Sequence, residues 1–182
     1  LRQYVEHVKK IRESTSIPIH VQIEPSKEKV DIGKLYEVGV DTIGIHIETL
    51  DEEVRKKICP GKSSINVERY REAWKEAVKI FGDNQVNTYI LVGLCGDRED
   101  VNVRGMEDLC SLGVIPFVVP FRPLPATEME NIRPPSPQHM YKILSTVASN
   151  IRLYGLRLEK NKAGCVRCGA CSPVREAVVY GV

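Results

Sequence analysis

Short β-branched segments alternate with amphipathic helical segments along most of this chain, and this alternation limits the possible folds more than any other feature. Apolar side chains at every second position predict four strands, over 17–23, 40–48, 86–92 and 114–120. Apolar spacing of three and four residues predicts helices over 1–14, 31–38, 50–59, 67–81, 97–113 and 137–154. Such alternation requires a parallel sheet with right-handed crossovers.

The predicted fold class is α/β. Four parallel strands that begin with an unpaired crossover helix are typical of the later four βα units of a partial TIM barrel. A flavodoxin-like sheet is the competing architecture, but it needs a fifth strand that the sequence does not show. We expect a partial barrel over 1–135, a C-terminal helix over 136–158 and a cysteine-rich tail over 159–182. Since the chain begins at Leu1 and runs directly into a helical pattern, we expect it to be a piece of a longer protein.

Composition excludes several classes of partner. The 26 basic and 24 acidic side chains leave a net charge of +2, which does not predict binding to nucleic acid. No apolar run approaches the roughly 18 residues of a membrane span. We therefore expect a soluble, cytoplasmic protein with no membrane partner.

Three of the six cysteines, Cys165, Cys168 and Cys171, lie within seven residues of the tail. Cysteines at this spacing more often bind metal or perform redox chemistry than form disulfides. The spacing is similar to the first three ligands of a ferredoxin run, which favours an iron-sulfur cluster, and Cys95 is the best candidate for a fourth ligand. Structural zinc and free thiols are the alternatives, although zinc usually takes two separated ligand pairs.

Catalytic and binding residues of parallel α/β folds lie mainly at the C-terminal ends of the strands, because the loops there vary in sequence while the sheet holds them in place. Four such ends follow from the predicted strands: Gln22–Pro25, His46–Leu50, Gly93–Asp97 and Pro120–Pro125. Gln22 and Arg122 are candidate substrate contacts. Gly61-Lys62-Ser63 resembles the end of a phosphate-binding loop, but position 56 is Lys and no strand precedes it, so this pattern fails.

Three of these ends resemble segments of the radical S-adenosylmethionine superfamily, most nearly its biotin-synthase-like and lipoyl-synthase-like members. The run 44–50 is similar to an Asn-His-Asn-x-Glu-Thr segment, with His46 at the second Asn and Glu48 at the Glu. The run 89–97 is similar to the fifth-strand glycine signature through Gly93 and Leu94. The run 118–127, which begins with Val118-Val119-Pro120, resembles the sixth-strand segment.

This chain departs from the family pattern at three places. Cys95 and Gly96 stand where a Gly and a Glu are usual, which leaves Asp97 or Glu99 to supply the charge. The family's Cys-x-x-x-Cys-x-x-Cys loop, which binds the catalytic cluster, has no counterpart in the sequence. The Gly-rich end of the family's second strand, which binds the methionine amino group, has none either. The resemblance therefore implies the C-terminal portion of a radical enzyme, inactive alone, whose missing N-terminal barrel portion holds that cluster.

The resemblance implies two cofactors and a set of binding residues. S-adenosylmethionine would contact His46, Glu48, Gly93, Leu94, Val118 and Pro120. Cys165, Cys168 and Cys171 would hold an auxiliary iron-sulfur cluster, with four irons favoured. A small-molecule substrate and a reductant such as ferredoxin or flavodoxin are the implied partners, and no catalytic residue is assigned.

Two alternatives come from other functional classes. The first is a non-catalytic iron-sulfur or zinc-binding module, which would use the tail site alone. The second is an ordinary barrel lyase or aldolase, for which the sequence offers no evident strand-end lysine for a Schiff base.

Overall fold

The computed structural model describes residues 1–26, 31–94 and 99–181 and contains a parallel sheet. Its strands are β1 (His20–Ile23), β2 (Thr42–Ile45), β3 (Val86–Val92) and β4 (Ile115–Pro120), paired in the order β1-β2-β3-β4. The predicted α/β class and the four parallel strands are confirmed. The consecutive order lacks the strand reversal of a flavodoxin-like sheet within the described residues.

Helices connect the strands as predicted, and further helices form in the tail. They are α1 (Arg2–Ser14), α2 (Gly33–Glu37), α3 (Glu52–Ile58), α4 (Pro60–Ser63), α5 (Val67–Phe81), α6 (Glu99–Ser111), α7 (Pro137–Leu153), a 3-10 turn (Leu158–Lys160), α8 (Cys165–Cys168) and α9 (Val174–Tyr180). In the part of the chain that the structure describes, none of these helices combines the length and apolarity of a membrane span.

Helix ends follow local hydrogen-bonding chemistry. The sequence predicts Thr49 as the cap of α3, which is wrong, because the Asp51 carboxylate accepts from the N–H groups of Glu53 and Val54. Ser136-Pro137 predicts the start of a helix, and Ser136 does cap α7, with Pro137 at the first helical position.

The core lies between the sheet and the helices. Helical spacing predicts that the face of α5 with Trp74 lies in the core. Trp74 is buried there, and its indole N–H donates to the Ile45 carbonyl at 3.0 Å. Arg55 is also buried, with 1% of its surface exposed, although its charged run over 52–57 predicts a solvated helix face. Helix α3 therefore carries one charged side chain, Arg55, that faces the protein interior.

The other side of the sheet, which we call the inner face, carries polar and aromatic side chains. Strand register places these side chains next to one another: His20 beside Thr42, Gln22 beside Gly44, Gly44 beside Asn87, and Tyr89 beside Phe117.

The cysteine tail crosses this inner face. The Thr42 hydroxyl donates to the Ala163 carbonyl at 3.1 Å, and Gly164 lies so close to His20 that a Cβ would sit 2.3 Å from its ring. Val166 is buried against the core, and α9 then packs on α7. The tail therefore forms part of the folded body that surrounds the candidate site.

Candidate functional site

The pairing of β2 with β3 is interrupted where β2 ends. Gly44 pairs with Asn87, and the next bridge joins Glu48 to Ile90, so β2 places one more residue in this interval than β3 does. An extra residue on one strand is a β-bulge, a feature that often re-aims side chains next to active sites. Side-chain hydrogen bonds take the place of the backbone bonds that are missing here. The Thr88 hydroxyl, for example, accepts from the Ile47 N–H at 3.1 Å.

His46 fills the rest of this gap. Its Nδ1 accepts from the Tyr89 N–H at 3.1 Å, and its ring stacks on the Tyr89 ring with the centroids 4.1 Å apart. Burial, with smaller contributions from Lys62 and His20, lowers the pKa of His46 to about 3. Burial also lowers the pKa of His20 to about 4. Both rings are therefore neutral near pH 7.

Glu48 adopts a left-handed backbone with φ of 71°, a conformation that is unfavourable for a residue with a side chain. Hydrogen bonds to β3 hold it there. Its N–H donates to the Tyr89 carbonyl at 3.1 Å, and its carbonyl accepts from the Leu91 N–H at 2.7 Å. This backbone conformation directs the Glu48 carboxylate towards α4.

Lys62 of α4 meets that carboxylate at 2.5 Å. The same ammonium donates to the His46 carbonyl at 3.2 Å and lies 3.6 Å from the Glu24 carboxylate after β1. Arg55 positions this segment, because its guanidinium donates to the carbonyls of Lys62 and Ile65 at 2.9 and 3.0 Å. One cation thus links the ends of two neighbouring strands.

These groups surround a cleft of about 400 Å³. It is lined by Tyr4, Gln22, Ile23, Glu24, His46 and Lys62. The structure therefore brings two predicted site residues, Gln22 and His46, into one cleft, with Glu48 attached through Lys62. In a site with one ammonium and two carboxylates, the ammonium can bind the negative group of a zwitterionic ligand and the carboxylates can bind its positive group.

The remaining predicted cofactor residues lie elsewhere on the strand ends. Gly93 lines a second cleft between β3 and the start of α7, where a Cβ would lie 2.7 Å from Pro135. Leu94 packs in a small apolar cluster with Phe121, and Val118 is buried in the main core. Cys95, Gly96 and Asp97 lie outside the described residues.

Pro120 and the predicted substrate residue Arg122 line a third cleft, of about 380 Å³, together with Cys171 of the tail. This places Arg122 beside the tail and apart from Gln22.

Cys165 points at the inner face. Its Sγ accepts from the Tyr89 hydroxyl at 2.6 Å and lies 3.7 Å from Nε2 of Gln22. Cys168 and Cys171 are exposed. Within residues 1–26, 31–94 and 99–181, no group of three His, Cys, Asp or Glu side chains is placed to hold a metal ion. The tail in this conformation therefore does not fit an iron-sulfur cluster.

Sequence reasoning missed Lys62 and Tyr89 as site residues. The sequence around Lys62 suggests only a failed phosphate-loop pattern, and Lys62 lies 14 positions from Glu48 in the chain. Tyr89 lies in the middle of β3, and an aromatic side chain is common in any strand. Strand parity places it on the same face as Asn87, and this parity was the one available signal.

Comparison with known proteins gives distant similarities. No family model matches the chain. It is 29% identical over 132 residues to bacteriochlorophyllide c C-7(1)-hydroxylase of Chlorobaculum limnaeum, an alignment that covers 71% of this chain and 32% of that enzyme. It is 26% identical over 132 residues to an uncharacterized protein of Methanocaldococcus jannaschii, covering 71% of this chain and 34% of that protein.

The chain spans about a third of the length of these curated relatives. The chain is thus distantly similar to part of a protein that is named as a hydroxylase.

Proposed function

We propose that this chain is part of a radical S-adenosylmethionine enzyme and that its strand ends bind the methionine portion of that cofactor. The observation that carries the proposal is the Lys62 ammonium shared between Glu48 and Glu24 in the cleft beside His46. The resemblance of the three strand-end segments supports it, and so does the similarity to part of a hydroxylase.

The charges of the cleft match those of an α-amino acid. Lys62 would bind the carboxylate of the methionine portion, and the carboxylates of Glu24 and Glu48 would bind its ammonium and the sulfonium. Glu48 and Lys62 are largely shielded, with 15% and 24% of their side chains exposed, so their interactions with a ligand are weakly screened. The bulge and the left-handed backbone of Glu48 fix the carboxylate in place before the ligand arrives.

The nucleoside portion would lie across the neighbouring strand ends. These ends are joined, because the Phe121 N–H donates to the Val92 carbonyl at 2.8 Å. We propose that the backbone at Gly93 and Leu94 and the strand from Val118 to Pro120 contact the adenine. Gln22 would contact the substrate within the cleft, and Arg122 would do so from the side of the tail.

When reduced by an iron-sulfur cluster, bound S-adenosylmethionine supplies a 5′-deoxyadenosyl radical that removes hydrogen from a substrate. The residues of this chain bind and orient the cofactor and exclude water. Further strands, supplied outside these residues, would extend the sheet at β1 towards a barrel and carry the catalytic cluster. A reductant such as ferredoxin or flavodoxin would be the electron donor.

Calorimetric titration of the chain with S-adenosylmethionine tests the proposal. We expect saturable binding that weakens by about tenfold or more in Glu48→Gln, because one charge-assisted contact is lost. Glu53→Gln is the matched control, since Glu53 lies on the exposed side of α3 and should leave the affinity unchanged. Equal affinity in all three proteins, or no binding at all, would contradict the proposal.

A cluster on Cys165, Cys168 and Cys171 stays a prediction from the sequence. Anaerobic reconstitution tests it, with Cys168→Ser as the variant that should lose the bound iron. Stoichiometric zinc in place of iron, together with no affinity for S-adenosylmethionine, would instead favour the metal-binding module.

A further inference from the structure

Three side chains on the inner face bury polar atoms that find no hydrogen-bond partner among the described residues. These atoms are Nε2 of His20, Nε2 of His46 and both amide atoms of Asn87. A buried polar group without a partner is unfavourable in proteins generally, so several in one place need an explanation.

The atoms belong to one constellation centred on Gly44. A Cβ at Gly44 would lie 2.8 Å from Nε2 of His46 and 3.2 Å from Nε2 of His20. Asn87 is the register partner of Gly44 on β3, so its amide lies beside the same point. His46 and Asn87 are at least nine-tenths buried.

The hydrogen bond at Nδ1 of each ring determines whether its Nε2 donates or accepts a hydrogen bond. The Thr42 hydroxyl donates to the Ala163 carbonyl, so it must accept from Nδ1 of His20 at 2.7 Å. Neutral His20 then carries its proton on Nδ1 and presents an Nε2 lone pair. Nδ1 of His46 accepts from the Tyr89 N–H, so neutral His46 carries its proton on Nε2 and presents a donor.

This pairing of donor and acceptor argues against a metal ion. A metal would need a lone pair on both Nε2 atoms, and His46 cannot supply one while its Nδ1 accepts from the backbone. It also argues against a charged ligand group, because His20, His46 and Asn87 provide no neutralising charge.

We propose that His20, His46 and Asn87 form a subsite for an uncharged group that both donates and accepts hydrogen bonds, such as a hydroxyl or a carboxamide. His46 also lines the cleft that holds Lys62, so the subsite adjoins that cleft. The subsite deepens the proposed function, because it names the kind of substrate group that the inner face would take. Its test does not involve S-adenosylmethionine, so the two proposals fail separately.

Nitrogen-15 NMR of the histidine-labelled chain tests the subsite with three small probes of similar size: acetamide, acetate and ethylammonium. Acetamide should shift the imidazole signals of both His20 and His46. The two charged probes can contact the cleft beside Lys62 and His46, so His20, which does not line that cleft, is the discriminating signal, and it should not respond to them. Acetamide binding should weaken about tenfold in Asn87→Leu, the loss expected when one hydrogen bond is removed. Asn131→Leu changes an exposed asparagine and should bind acetamide like the wild type.

The wild-type spectrum is a second measurement that does not depend on a variant. His46 should be protonated on Nε2 and His20 on Nδ1. A lone pair on Nε2 of His46, or Zn²⁺ binding that His20→Phe abolishes, would overturn the proposal in favour of a metal site. No response of either ring to acetamide would also overturn it and would leave ordered water as the partner of these atoms.

Discussion

The Lys62 ammonium lies 2.5 Å from the Glu48 carboxylate and joins a short helix to the end of a buried strand. Both side chains are mostly shielded from water, unlike the exposed pair of Lys56 and Glu53. This difference in exposure gives the pair of Lys62 and Glu48 the larger expected effect on stability.

Lys62→Met should lower the free energy of unfolding by about 1–3 kcal/mol, because it leaves a partly buried carboxylate without its cation. Lys56→Met should change it by less than about 1 kcal/mol, since that ion pair is exposed. Urea denaturation followed by circular dichroism measures both. Equal effects of the two substitutions would show that Lys62 does not stabilise Glu48.

Glu48→Gly should be more stable than Glu48→Ala by about 1 kcal/mol, because only glycine adopts the left-handed backbone without a steric penalty. The comparison removes the side-chain contacts in both variants and isolates the backbone. Lys75, exposed in the middle of α5, is the control, where Ala should instead exceed Gly by about 1 kcal/mol. The same sign at both positions would argue against the left-handed conformation of Glu48.

Acid should destabilise the protein through His46. The pKa of His46 is lowered to about 3, so between pH 6.5 and 3 the unfolded chain binds a proton at this residue that the folded chain does not. His46 should therefore contribute a fall of about 1.4 kcal/mol in the free energy of unfolding for each pH unit between 6.5 and 3. His46→Gln should lose this part of the slope, whereas His7→Gln, at an exposed position, should keep it. Unfolding curves over this pH range measure the difference.

Asn87→Leu should raise the free energy of unfolding by about 1–2 kcal/mol, because it replaces a fully buried amide without partners in the described chain by an apolar side chain of similar size. Stabilisation by removal of a polar group is typical of positions kept for binding. Thermal unfolding measures the change, and a loss of stability would indicate that the amide has a structural partner.

The cysteines should differ in their reactivity with iodoacetamide. Burial raises the pKa of the Cys110 thiol to about 12, so this cysteine should stay unmodified in the folded protein. Exposed Cys168 and Cys171 should react first, and Cys165 should react more slowly because Tyr89 covers its sulfur. Mass spectrometry after timed quenching gives the order, and faster modification of Cys165 in Tyr89→Phe would confirm the contact.

The α/β class, the parallel strands and most helices could be predicted from the sequence, because they follow from apolar periodicity over short stretches of chain. The sequence also identified Ser136 as the start of a helix and Trp74 as a core residue, since both depend on neighbours within a few positions.

The contacts between polar residues of the site, by contrast, depend on the tertiary structure. The bulge after Gly44 depends on register with β3, and the contact of Lys62 with Glu48 joins residues 14 positions apart. The placement of Cys165 against Tyr89 spans 76 positions. Such contacts arise when separate elements pack together, and no local pattern of residue types records them.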